Sequence, residues 1–217
     1  MTYPITPDSH TDIPYDDYEI NRHIGSVNTG YMHLNFGGVI RAAIERARLH
    51  GQVSLLDAGC GTGHSLISLK EQIRFRAKIA DEAIEAVGIS LSDLRSRLNA
   101  GCHERNRSRN GYISLRIGNL ATMPLEPHRF DVAYSSQVLM HNSEPARIVA
   151  NILPSLRHNG VYYCDALPEQ KAELDTFKTT LDPAEWNMQS TTVTKQCIGG
   201  QDTYVFYKFH RFQPVTL

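Results

Sequence analysis

The chain has 217 residues, 22 Lys and Arg against 23 Asp and Glu, and a formal net charge of -1. That length holds one α/β domain with a good core and some decoration, and leaves no room for a second large domain. The balanced charge gives no field that would gather nucleic acid or an anionic membrane, so neither partner is expected.

Residues 1 to 18 carry Pro4, Pro7, Pro14 and several Asp without periodicity, and read as an arm able to order over a bound substrate. Tyr31-Met32-His33-Leu34-Asn35-Phe36 is dense in aromatic and hydrogen-bonding groups and stands before a helix from about Val39 to Leu49. We take residues 1–40 as an N-terminal arm and cap and 41–217 as the main domain. Val53, Leu55 and Leu56 read as a buried strand, and Leu66, Ile67, Leu69 and Ile73 have helical spacing. Between them lies Asp57-Ala58-Gly59-Cys60-Gly61-Thr62-Gly63. Glycine is needed where backbone takes positive φ or comes within contact of a ligand, and the helix start behind the loop offers unpaired N–H groups to an anion.

Two common loops fail to match. In the dinucleotide fingerprint the third glycine comes one residue later and the next strand closes on an acid, whereas here it ends in Ser90. A phosphate-cradling loop needs Lys followed by Ser or Thr after its last glycine, and His64-Ser65 stand there instead. The aspartate-led glycine loop resembles the first motif of the class I S-adenosylmethionine-dependent methyltransferases. The resemblance implies a Rossmann-like fold: a seven-stranded, mostly parallel sheet with an antiparallel last strand and helices on both faces. It also implies S-adenosyl-L-methionine as cofactor and S-adenosyl-L-homocysteine as product. Asp57, Gly59, Cys60, Gly61 and Gly63 would then hold the amino-acid end of that cofactor.

Beyond the loop, Ser65 to Glu85 is long for a single crossover helix. Its basic run Lys70, Arg74, Arg76 and Lys78 is flanked by Glu71, Asp81, Glu82 and Glu85 and reads as a solvated face. The second strand is Ala86 to Ser90, followed by a helix from Asp93 toward Asn106 with Ser92 as its cap. Most of the family ends this strand in a carboxylate for the ribose hydroxyls. Ser90 with Leu91 is similar to the uncharged version in cyclopropane-fatty-acid-synthase-like members. The third strand, Tyr112 to Ile117, leads into Gly118-Asn119-Leu120, where the resemblance places the adenine and the Asn119 carbonyl oxygen can accept from its amino group.

Met123-Pro124-Leu125 and Arg129 to Tyr134 resemble the family's passage into the fourth strand, which ends at Ser135, a further cofactor contact. Tyr134-Ser135-Ser136-Gln137 lacks the N/D-P-P-Y/F of many DNA, RNA and protein amino-group methyltransferases. Val138 to Asn142 resembles the segment that faces the methyl group. His141 is the first candidate general base there, with His33 and Tyr31 next; bracing the loop is the competing role for His141. Ser143, Glu144 and Pro145 open a helix to Arg157 that Pro154 should kink. Leu156 to Gly160 then turns into a fifth strand, Val161 to Asp165. A helix from Pro168 to Leu181, a strand from Ser190 to Ile198 and an aromatic strand from Thr203 to Phe209 complete the plan. Trp186, Asn187 and Met188 either close the substrate cavity or fill core. The aromatic last strand, taken as an edge, would allow a homodimer.

Cys60, Cys102, Cys164 and Cys197 stand far apart without a C-x-x-C pair and read as reduced thiols of a cytoplasmic protein. The chain opens without a basic-then-apolar leader and contains no apolar run long enough to span a bilayer, so no export and no membrane anchor are expected. The 10 histidines show no ligand spacing, so no metal is expected. Taken together these features imply an enzyme that methylates O, N or C of a small-molecule metabolite, such as those of secondary metabolism. The alternatives are a protein of the same fold that binds the cofactor without transfer, cyclase-like or a binding subunit, and an RNA or protein methyltransferase.

Overall fold

In the computed structural model, residues 36–61, 63–91, 113–197 and 200–212 are described. Tyr31, His33 and the helix expected after Ser92 lie outside them. The described elements are α1 (Phe36–His50), β1 (Val53–Ala58), α2 (His64–Ala77), β2 (Ile84–Ser90), β3 (Ser114–Ile117), β4 (Phe130–Ser135), α3 (Pro145–Ile152), β5 (Leu156–Ala166), α4 (Lys171–Lys178), β6 (Trp186–Cys197) and β7 (Gly200–Arg211). They form one seven-stranded sheet in the order β3-β2-β1-β4-β5-β7-β6. β7 runs antiparallel to both its neighbours, and the other pairings are parallel. The doubly wound sheet with an antiparallel last strand is therefore present.

β1 and β4, at the centre, are buried at every position. This is why their sequences read as apolar runs rather than alternations. On one face Val39, Ala43 and Ala47 of α1 and Leu66, Leu69 and Ile73 of α2 pack on Leu55, Val132, Tyr134 and Tyr163. On the other face Ile148, Val149 and Ile152 of α3 and Leu174 of α4 cover Leu56, Ala133, Tyr162, Tyr207 and Phe209. Met188 is buried in that second layer and Trp186 packs against it beneath the Arg211 guanidinium, so both serve the core.

Several boundaries move, each for a physical reason. α1 begins at Phe36, ahead of the expected start at about Val39. The crossover after the glycine loop is a helix to Ala77, a left-handed Lys78, and a separate turn at Asp81–Ala83. Lys70 does not lie on a solvated face: it is buried, and its Nζ pairs with Asp81 Oδ2 at 3.0 Å. Pro154 ends a helix rather than kinking one, because α3 stops at Ile152 and a single 3-10 turn, Leu153–Ser155, hands over to β5. The turn expected at Leu156–Gly160 lies within β5, where the register jumps from Phe130–Leu156 to Val132–Val161 and Asn159 takes φ 60. The last strand is not an edge: β7 lies between β5 and β6, its Tyr207 and Phe209 are core, and β6 is the edge. β5 pairs with β7 only up to Ala166–Val205, while β6 and β7 continue from Val193–Tyr204 to Cys197–Gly200. A two-stranded ribbon thus projects past the carboxyl end of β5.

Ion pairs and hydrogen bonds close the amino-terminal end of the sheet. Asp131 Oδ2 accepts the Ser54 N–H at 2.8 Å and Arg157 Nη1 at 3.1 Å; Ser54 Oγ donates to Glu85 Oε2 at 2.6 Å, and Arg129 Nε donates to Glu85 Oε1 at 3.0 Å. At this end Arg211 also holds the Leu156 carbonyl at 2.6 Å and contacts His128 Nδ1 at 3.0 Å.

Two imidazoles make stability depend on pH. Loss of hydration, then the Arg211 and His158 charges, hold His128 below its ordinary range, and burial, then Lys208 and Arg46, do the same for His210. The unfolded chain therefore takes up these protons first, from about pH 6.5 downward. Stability is full above that value and falls as pH drops toward the lower folded values. Urea unfolding between pH 7.5 and 5.5 should show this decline, with a shallower slope in His128→Gln; a flat profile would contradict it.

Candidate active site

The glycine loop sits where β1 hands over to α2, at the carboxyl edge of the central strands, the usual ligand position of an open parallel sheet. Gly59, Gly61 and Gly63 have φ of 103°, 49° and 78°, values that L side chains rarely adopt. The N–H groups of Gly59 and Cys60 both donate to the Ile89 carbonyl at 2.9 Å, and Gly63 N–H donates to Cys60 O at 2.8 Å. A methyl group on Gly59 would overlap Val138 Cγ2, and one on Gly63 would lie 2.7 Å from Ile113 Cδ1. The Cys60 side chain is buried and occupies the space a Cβ on Gly88 would need. Gly63, the residue preceding α2, makes no side-chain cap, which leaves the first N–H groups of the helix for a ligand.

Asp57 is 3% exposed, and its Oδ2 accepts the Tyr134 hydroxyl at 2.7 Å. Burial, and then the charge of Asp57, push the Tyr134 phenol well above its ordinary range, so it stays protonated and donates. Tyr134 is directly opposite Asp57 in the β1–β4 register. The sequence did not mark Tyr134 as a site residue, because a tyrosine closing an apolar strand looks like core.

Ser90 ends β2, half-buried, and its carbonyl accepts Gly118 N–H at 2.9 Å. Beside it Leu91 is 51% exposed, and Ile117, the register partner of Ser90 on β3, is 58% exposed, so the edge carries an apolar rim. Asn119 is exposed, but its Oδ1 already accepts the Ala121 N–H at 2.8 Å. Leu120 is buried, and its carbonyl and that of Met123 both accept from Asn151 Nδ2 at 2.8 Å. Ser135 is set apart from the rest: fully buried, it shares a 2.8 Å hydrogen bond with Tyr162 on the sheet face opposite Asp57.

His141 is half-buried in the 3-10 turn Leu139–His141. Side chains of Asn142 and Gln170 hold that turn. Asn142 Nδ2 donates to Val138 O at 2.7 Å, and Gln170 Nε2 donates to Leu139 O at 2.7 Å and Asn142 O at 3.0 Å. Gln170 Oε1 in turn accepts the Leu167 N–H at 3.1 Å. Sequence reasoning also passed over Gln170. Among the described residues no group of three or more His, Cys, Asp or Glu is arranged to hold a metal ion, and Cys60 and Cys164 are buried and outside any disulfide.

A glycine loop of this geometry between β1 and α2 of a sheet ordered 3-2-1-4-5-7-6 defines a Rossmann-like domain. The chain belongs to the family described as the methyltransferase domain, whose model matches residues 49–210. It is 26% identical over 158 residues to the O-methyltransferase rstn1 of Aspergillus nomiae, a match that covers 66% of this chain and 64% of that protein's length. In fold it is similar to a TehB-like SAM-dependent methyltransferase from Corynebacterium glutamicum, with a TM-score of 0.57, 15% identity, and coverage of 91% of this chain and 98% of that one. It is similar in the same way to the [4+2]-cyclase SpnF, with a TM-score of 0.57, 19% identity, and coverage of 81% and 80%.

Proposed function

We propose that this chain binds S-adenosyl-L-methionine and transfers its methyl group to an O, N or C atom of a small-molecule metabolite. The observation that carries the reading is the loop Asp57–Gly63, which has three left-handed glycines, packs its backbone at Gly59 and Gly63 too closely on Val138 and Ile113 for a side chain, and has its acid held by Tyr134. Asp57, Gly59, Cys60, Gly61 and Gly63 would hold the amino-acid end, Ser90 and Leu91 would meet the ribose, and Asn119 and Leu120 the adenine. Ser135 supports this site from beneath rather than through its engaged hydroxyl. The cofactor supplies a sulfonium-bound methyl group that is already electrophilic.

The chain's own work is then to align the acceptor, exclude water and take up a proton where the acceptor is a hydroxyl or an ammonium. The His141 imidazole is the group for that proton, with His33 and Tyr31 as further candidates. Residues 1–40 act as the cap in this reading, and the reaction is placed in the cytoplasm on a small molecule rather than on RNA or protein. No described helix is long and apolar enough to cross a membrane.

A second reading, cofactor binding without methyl transfer, is favoured by one observation. Asn119 carries no charge and spends its side-chain oxygen on Ala121, and Ser90 is likewise uncharged. The full chain incubated with methyl-labelled cofactor and a cell extract should move label into a low-mass product and release S-adenosylhomocysteine. Binding without label transfer would select the second reading; absence of binding would remove both.

A further inference from the structure

Asp165 lies next to last in β5 and is 0% exposed, an expensive place for a carboxylate unless its bonds have a purpose. Its Oδ1 accepts the backbone N–H of Gln137 at 2.6 Å. Gln137 is the second residue past β4 and has φ 59, the left-handed region that costs a non-glycine residue roughly 1 kcal/mol or more. The turn it creates brings Val138 into the space that the missing Cβ of Gly59 leaves open, and His141 follows three residues later. Gln170 holds only the far half of that turn, through the carbonyls of Leu139 and Asn142. The near half is held at Gln137 and by the Asn142 side chain, which donates to the Val138 carbonyl at 2.7 Å.

We propose that Asp165 is a positioning residue: it fixes Gln137 in the left-handed conformation, which seats Val138 against Gly59 and so sets the shape of the cofactor loop. The inference rests on the methyltransferase reading of this site. What it adds is that Asp165, on β5, governs cofactor affinity through the backbone N–H of Gln137.

The test is calorimetric titration of the full chain with S-adenosylhomocysteine. If the wild-type chain does not bind, the functional reading fails; the inference is judged only on variants of a chain that binds. Asp165→Ala is expected to weaken binding about 10-fold, the scale of one lost charge-assisted hydrogen bond. Asp165→Asn keeps an acceptor for the Gln137 N–H and should stay within about threefold of wild type. Gln137→Gly removes the conformational cost, so the double variant Asp165→Ala with Gln137→Gly should recover most of the loss. Gln137→Val, which leaves Asp165 intact but penalises the left-handed region, should mimic Asp165→Ala, and it serves as the test if Asp165→Ala fails to fold. The proposal is overturned if Asp165→Ala or, in its place, Gln137→Val binds like wild type. It is equally overturned if Asp165→Asn is as weak as Asp165→Ala, which would make the negative charge itself the ligand contact, or if Gln137→Gly recovers nothing.

Discussion

Gly59→Ala is expected to abolish binding of S-adenosylhomocysteine and to lower folding stability by roughly 3 kcal/mol, combining a forbidden backbone region with overpacking. At φ 103 the position belongs to glycine, and the added methyl would meet Val138 Cγ2, a side chain with the Asp165-held turn behind it. The two costs can be separated. Val138→Ala in the same chain makes room but leaves the backbone conformation unfavourable, so it should restore part of the stability and little of the binding. Urea midpoints and calorimetry measure both, and an alanine variant that binds within about threefold of wild type would mean that the loop does not need glycine there.

His141→Ala should retain cofactor affinity and lose turnover by about 10²–10⁴-fold, the range of a positioned general base. Asn142 and Gln170 secure the turn through its backbone carbonyls, so it is expected to stand in the variant. Rates measured from pH 5.5 to 8.5 decide between the roles. A base gives a wild-type rate that rises with pH through the histidine range and a variant that lacks that limb. Undiminished turnover across the range would leave His141 a brace.

The central strands and the glycine loop were legible because their physics is local. A strand buried on both faces is a run of apolar residues, and a loop that needs positive φ at alternate positions needs glycines there. Ser135 and Asn119 show where position and chemistry part. Both stand where the family resemblance places them, yet one hydroxyl points to Tyr162 beneath the sheet and the other side-chain oxygen closes its own turn. Tyr134, Asp165 and Gln170 were not legible, since each acts on a partner 77, 28 or 31 residues away and nothing in its own neighbourhood announces this. The edge position of β6 was missed for a similar reason: chain order and sheet order diverge at the end of this fold, so the last strand is inserted inward.

The β1–β4 pair is pinned at both ends, by Asp131 on the Ser54 amide and by Tyr134 on Asp57, and each bond links residues 77 positions apart. A slip of one residue would break both together. The middle of the sheet thus cannot close early in synthesis: until Tyr134 has left the ribosome, β1 has only β2 beside it and one apolar margin unsatisfied. Nascent chains arrested before Phe130 should for that reason engage holding chaperones, and those extended beyond Ala166, with β5 in place, should let go.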